Sequence, residues 1–202
     1  MPQYPSAVYS VQKPSKAFAP LVGDAAGAAE YAQRHGANYA STYAGFNGSA
    51  ACVGVTTSAG LATTYTGLCL SNPAGSGKNL SILRVSGVID VAPAALTAIG
   101  LITGFLAAGI TAHTTPLTPL NNLVGGGGTL VGLADAACTL VGTPAWQRWL
   151  AESIAATGIA AFDESTAGEL LIPPGGYLAI GTSIAGPTNG LYASISWEEN
   201  PQ

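Results

Sequence analysis

Two tryptophans flank an arginine in Ala145-Trp146-Gln147-Arg148-Trp149-Leu150, the densest contact chemistry in the chain. Indole and guanidinium groups dominate binding hot spots, so Trp146, Arg148 and Trp149 are candidate interface anchors. The same residues also suit core packing, with Arg148 snorkelling or stacked on an indole. Carboxylates cluster only at Asp163-Glu164, Glu169 and Glu198-Glu199. A glycosidase would need two of them across a cleft. Asp163–Gly168 reads instead as a polar hairpin turn, and Glu198-Glu199 as the solvated end of a last strand, facing water or a partner. The two histidines, His35 and His113, have no G-x-S-x-G nucleophile elbow to serve. Asn72-Pro73-Ala74-Gly75-Ser76-Gly77-Lys78-Asn79 has the look of a phosphate loop, but Asn72 replaces the first glycine and Asn79 the magnesium-binding hydroxyl. It leads into a strand, where a phosphate loop opens a helix. Gly125–Gly128 lacks the dinucleotide-binding register. The residues therefore point to no catalytic, cofactor or metal site.

The elements that must position these residues alternate with a period of two. Leu80, Ile82, Arg84 and Ser86 alternate with Ser81, Leu83, Val85 and Gly87, which makes a strand with two different faces. Asn72–Gly77 before it is turn chemistry, since proline presets φ and glycine admits positive φ. Leu170–Trp197 repeats this grammar around Pro173-Pro174-Gly175-Gly176 and Gly186-Pro187-Thr188-Asn189-Gly190. Strands are expected near Cys52–Ser58, Tyr65–Ser71, Asn79–Val91, Ala98–Leu106, Thr129–Leu133, Cys138–Val141, Ser153–Phe162, Glu169–Ile172, Tyr177–Ser183 and Leu191–Trp197. Thr114–Asn122 is expected to connect two of them. The uncharged stretch Ala92–Thr111 approaches a membrane thickness. Its glycines and its lack of flanking Lys or Arg favour a buried strand pair or an Ala-rich linker. Arg84, alone in an apolar strand, is expected to meet Asp90, Asp163, Glu198 or a neighbouring subunit.

Residues 1–50 differ from the rest. Pro2, Pro5, Pro14 and Pro20 break any early helix, while Tyr4, Tyr9 and Phe18 offer anchors for an extended segment. Asp24–Arg34 has the composition of a short helix capped by Asp24. The region reads as an arm that packs on a neighbour, with a disordered leader as the alternative. No signal-peptide apolar core precedes it. Residues 51–202 then form an all-β domain, a β-sandwich or barrel.

Composition narrows the function. Six basic and ten acidic residues in 202 are about a third of the usual charged share, and the net charge is −4. Scattered cations and an acidic balance argue against nucleic acid. A surface so poor in charge suits a protein covered by copies of itself or by a partner. Cys52, Cys69 and Cys138 are odd in number and lack C-x-x-C spacing, so they read as small buried hydrophobes.

Two phrases carry a family resemblance. Ser71–Val85, with its NPAGSGKNL turn, resembles a phrase of tailed-bacteriophage virion structural proteins. Ile172-Pro173-Pro174-Gly175-Gly176-Tyr177 and the closing Trp197-Glu198-Glu199-Asn200-Pro201 look similar to the same group. The resemblance implies a jelly-roll-like β-sandwich on the exterior of a phage head, made in the host cytoplasm. It implies a non-enzymatic capsid decoration or cement protein, a homotrimer that binds the major capsid protein. A head-fibre, tail or receptor-binding component is the alternative. A carbohydrate-active enzyme is a third class, which would depend on Glu169 and Glu198.

Overall fold

The computed structural model describes residues 47–122, 124, 129–153, 160–188 and 190–201, with the backbone alone for 47–55 and 201. None of these residues is helical. They form β1 (Asn47–Val55), β2 (Thr64–Ser71), β3 (Lys78–Ile89), β4 (Thr97–Phe105), β5 (His113–Leu117), β6 (Leu120–Asn121), β7 (Leu133–Thr139), β8 (Ala145–Ser153), β9 (Ala161–Ile172), β10 (Gly176–Thr182) and β11 (Leu191–Pro201). Two antiparallel sheets result, in the orders β6-β1-β11-β3-β9 and β5-β7-β2-β10-β4-β8. The fold is the expected all-β sandwich.

Alternation in the sequence makes the two faces. Leu80, Ile82 and Val85 of β3 and Ile195 and Trp197 of β11 meet Leu68, Leu101 and Ile180 of the other sheet in one buried cluster. Trp197 is fully buried there. Each such aliphatic side chain is worth about 1.5–3 kcal/mol of burial. The six-stranded sheet is buried on its second face too. In β10, Leu178 and Ile180 join the main cluster, whereas Tyr177 and Ala179 join a second one with Tyr65, Cys69, Ile102 and Cys138. That is why β10 reads as a continuous buried run.

Several expected boundaries move, each for a local reason. Asp163–Gly168 is no hairpin turn. Asp163, Glu164 and Ser165 pair with Ser86, Val85 and Arg84 inside β9, and the turn-forming residues make a bulge instead. Ala167 and Gly168 carry that bulge at φ of 46° and 83°. Thr129–Gly132 is not strand, because the amides of Val131 and Gly132 go to the Glu199 carboxylate; β7 runs from Leu133 to Thr139 and takes in only Cys138 and Thr139 of the expected Cys138–Val141 strand. Thr114–Asn122, expected as a connection, contains most of β5 and all of β6. The expected Ser153–Phe162 strand straddles the end of β8 and the start of β9. The first strand among the described residues is Asn47–Val55, where Cys52–Ser58 was expected.

Ala92–Thr111 supplies one strand, β4, between β10 and β8. No helix among the described residues is long and apolar enough to cross a membrane. The arm anchors Tyr4, Tyr9 and Phe18 and the helix expected at Asp24–Arg34 lie outside the described residues.

Candidate functional site

The Trp-Arg-Trp phrase lies on β8, at the edge of the six-stranded sheet. In an unbroken strand, Trp146 and Trp149 would point to opposite faces. Register shifts against β4, between Ile99 and Gly100 and between Leu101 and Ile102, reset the alternation. The two indoles therefore stack, with ring centroids 4.5 Å apart and planes at 29°. Gly100 makes room for them. A Cβ there would come within 2.9 Å of Trp149 and 3.0 Å of Trp146. Trp146 packs against the second cluster, while Trp149 is 54% exposed. One tryptophan thus packs partly against the core and the other faces solvent, which divides the two roles that the sequence left open.

Arg148 takes neither expected core role. Its Nη1 donates to Glu164 Oε1 at 3.0 Å and its Nη2 to Glu169 Oε2 at 3.2 Å, both on β9. β9 is the edge of the opposite sheet, so Arg148 ties the two sheets together along one side. The hydrogen bond to Glu169, and after it that to Glu164, holds the guanidinium more firmly protonated. Below this tie the sheets part into a cleft of about 380 Å³, lined by Thr103, Phe105, Gln147, Glu169, Leu171 and Pro173 among others. Phe105 and Leu171 are 55% and 61% exposed at its mouth.

The remaining polar groups near the candidate positions serve the framework. Arg84 meets Asp163, one of its expected partners, through Nε and Nη2. That contact holds the Asp163 carboxyl below the ordinary carboxylate range. His113 of β5 lies 2.7 Å from Asp135 Oδ2 through Nδ1, and its Nε2 donates to the Ile110 carbonyl at 3.0 Å. Burial pushes the Asp135 carboxyl up, against the opposing pull of His113. Cys69 and Cys138 are buried free thiols, as expected of small hydrophobes. The hydrogen bond with Cys138, and after it burial, pushes the Cys69 thiol well up, away from the reactive thiolate.

Sequence reasoning missed two organising residues. Glu198 and Glu199 were expected at a solvated strand end, yet both are buried. Glu199 Oε1 accepts from Val131 N at 2.8 Å, Gly132 N at 2.9 Å and Trp197 Nε1 at 3.3 Å, and Oε2 accepts from Lys78 Nζ at 3.0 Å. Asn72 is equally buried. Its Nδ2 donates to the Lys78 and Ile172 carbonyls, each at 2.8 Å, and its Oδ1 accepts from Ser76 Oγ. The NPAGSGK turn is held from within by that amide and encloses no phosphate cradle of helix-terminal N–H groups. Periodicity signals neither residue. The only available sign was Asn72 placed directly before a proline.

Groups of three or more His, Cys, Asp or Glu side chains arranged to hold a metal are absent among the described residues. Compared with known proteins, the chain matches no protein family, no curated sequence and no solved structure.

Proposed function

We propose that this protein is a non-enzymatic virion component, a capsid decoration or cement protein that binds the outside of a phage head and bridges capsid subunits. One observation carries the reading. The carboxylates that could serve acid–base chemistry are tied into the framework: Glu199 to the 131–132 backbone, Asp163 to Arg84, Asp135 to His113, and Glu164 and Glu169 to Arg148. Meanwhile Trp149, Phe105 and Leu171 remain at the surface on the side where β8 and β9 end the sheets. Rigid polar ties with apolar anchors outside suit a protein that works by contact. Repeated over a lattice, modest contacts add up through multivalency.

The jelly-roll connectivity, the homotrimer and the major capsid protein as partner belong to this proposal. They rest on the phrase resemblance and on the charge-poor surface. Counting copies per particle, by quantitative mass spectrometry of virions of a phage that encodes this chain, is the test. Hundreds of copies are expected. A handful would favour a head-fibre, tail or receptor-binding part, and none would overturn the virion reading.

A further inference from the structure

From the edge formed by β8 and β9 we infer a docking site for a short extended segment of another protein chain, one bearing a basic side chain among apolar ones. The inference deepens the proposal above and rests on it only in taking this protein to be a binding module.

Sheet edges are templates for strand addition unless they are blunted. On one side of this sandwich they are blunted: β5 carries Pro116 in its five residues and β6 is two residues long. On the other side stand β8, with nine residues, and β9, with twelve. β8 is kinked by two register shifts. β9 runs regularly past its bulge, with Leu170, Leu171 and Ile172 opposite Ile82, Ser81 and Leu80. Among the described residues no strand pairs with its outer side. The cleft of about 380 Å³ opens beside that stretch. An added strand would turn alternate side chains inward over the cleft, on the face of Leu170 and Ile172, while its other side chains line up with Glu169 and Leu171 and its backbone extends the sheet.

Charge decides the occupant. β9 carries Asp163, Glu164 and Glu169, while two arginines, Arg84 and Arg148, serve all three. The carboxylate left in excess is at the cleft, where Glu169 is 69% exposed and shares Arg148 with Glu164. A second β9 edge laid on this one would bring acid to acid, which disfavours self-pairing here. A strand with lysine or arginine opposite Glu169 fits.

The test uses the full-length, ¹⁵N-labelled protein and two capped heptapeptides, SVTVKVS and its SVTVEVS twin. With SVTVKVS, saturable NMR shifts are expected at the amides of 168–172 and at Gln147. The glutamate twin should bind about fivefold more weakly. Glu169→Lys should reverse that preference, with an unchanged melting temperature certifying the fold. Equal affinity for both peptides, shifts elsewhere, or no shift at millimolar peptide overturns the inference. Concentration-dependent shifts at 168–172 in the protein alone would assign the edge to a second copy and overturn it as well. A virion count that fails while SVTVKVS binds would reject the particle and keep the docking site; the reverse outcome would reject the site alone.

Discussion

At the scale of single residues, the carboxylates do structural work that their sequence context conceals. Glu199 is the sharpest case: it accepts three N–H donors and faces Lys78 in a fully buried position. Glu199→Ala leaves the Val131 and Gly132 amides without their acceptor and removes the carboxylate facing Lys78, and about 3–5 kcal/mol of stability should be lost. Urea unfolding checks this, and an unchanged midpoint would refute the assigned role. Asp135 makes a pH prediction. Its carboxyl is raised in the folded state, mainly by burial. The folded protein therefore binds that proton more readily than the unfolded chain does. The contribution is fully present below the unfolded carboxylate pKa and is lost as pH rises through the raised folded value. Wild type minus Asp135→Asn stability, followed by thermal melts from pH about 3 to about 7, should fall across that range. A flat difference would contradict it.

At the scale of elements, the bulge in β9 is where turn chemistry was absorbed into a strand. Asp163-Glu164-Ser165-Thr166-Ala167-Gly168 has the composition of a hairpin turn, but β3 is long enough to pair on both sides of it. Thr166 is buried and donates its hydroxyl proton to the Ile82 carbonyl, which holds the bulge in place. Ala167 has φ of 46°, a conformation that disfavours a Cβ. Ala167→Gly should stabilise the protein by up to about 1 kcal/mol, and Gly168→Ala should destabilise it by at least as much. Denaturant midpoints that move in the same direction for both would show that the backbone relaxes instead. Strand existence was legible throughout β2, β3, β4, β10 and β11, where alternation or an apolar run coincides with burial. The strand misplaced around Thr129–Val141 sits where local composition competes with a partner remote in sequence. For Thr129–Gly132 that partner is Glu199, 67 residues beyond Gly132.

At the scale of the whole molecule, the exposed apolar groups sit on a framework whose two sheets are tied along one side by Arg148. Light scattering after size exclusion should report a trimer. A clean monomer would remove the homotrimer from the proposal and weaken the argument from a charge-poor surface. Trp149 offers a finer measurement. Its indole is half-exposed above Gly100, so Trp149→Ala should leave the fold intact. If the β8 surface docks on a particle, affinity for that particle should drop at least about tenfold. Unchanged affinity would move the contact to another surface.

The sequence alone determined the class of this protein. Period-two alternation punctuated by Pro/Gly turns over residues 51–202 admits an all-β sandwich because each strand must bury one face. It also pointed to Trp146, Arg148 and Trp149, because indole and guanidinium groups stand out in a charge-poor chain. Only the tertiary structure decided what those residues do. A register shift at Gln147 brings Trp146 and Trp149 onto one face, Trp146 against the second cluster and Trp149 towards solvent, and sheet order puts β9 within reach of Arg148. Neither outcome is written locally. A shift depends on the partner strand, and an ion pair between sheets depends on which strands finish as edges. The same holds for Glu199: a carboxylate near the chain end looks solvated until the fold brings two backbone amides and a lysine to it.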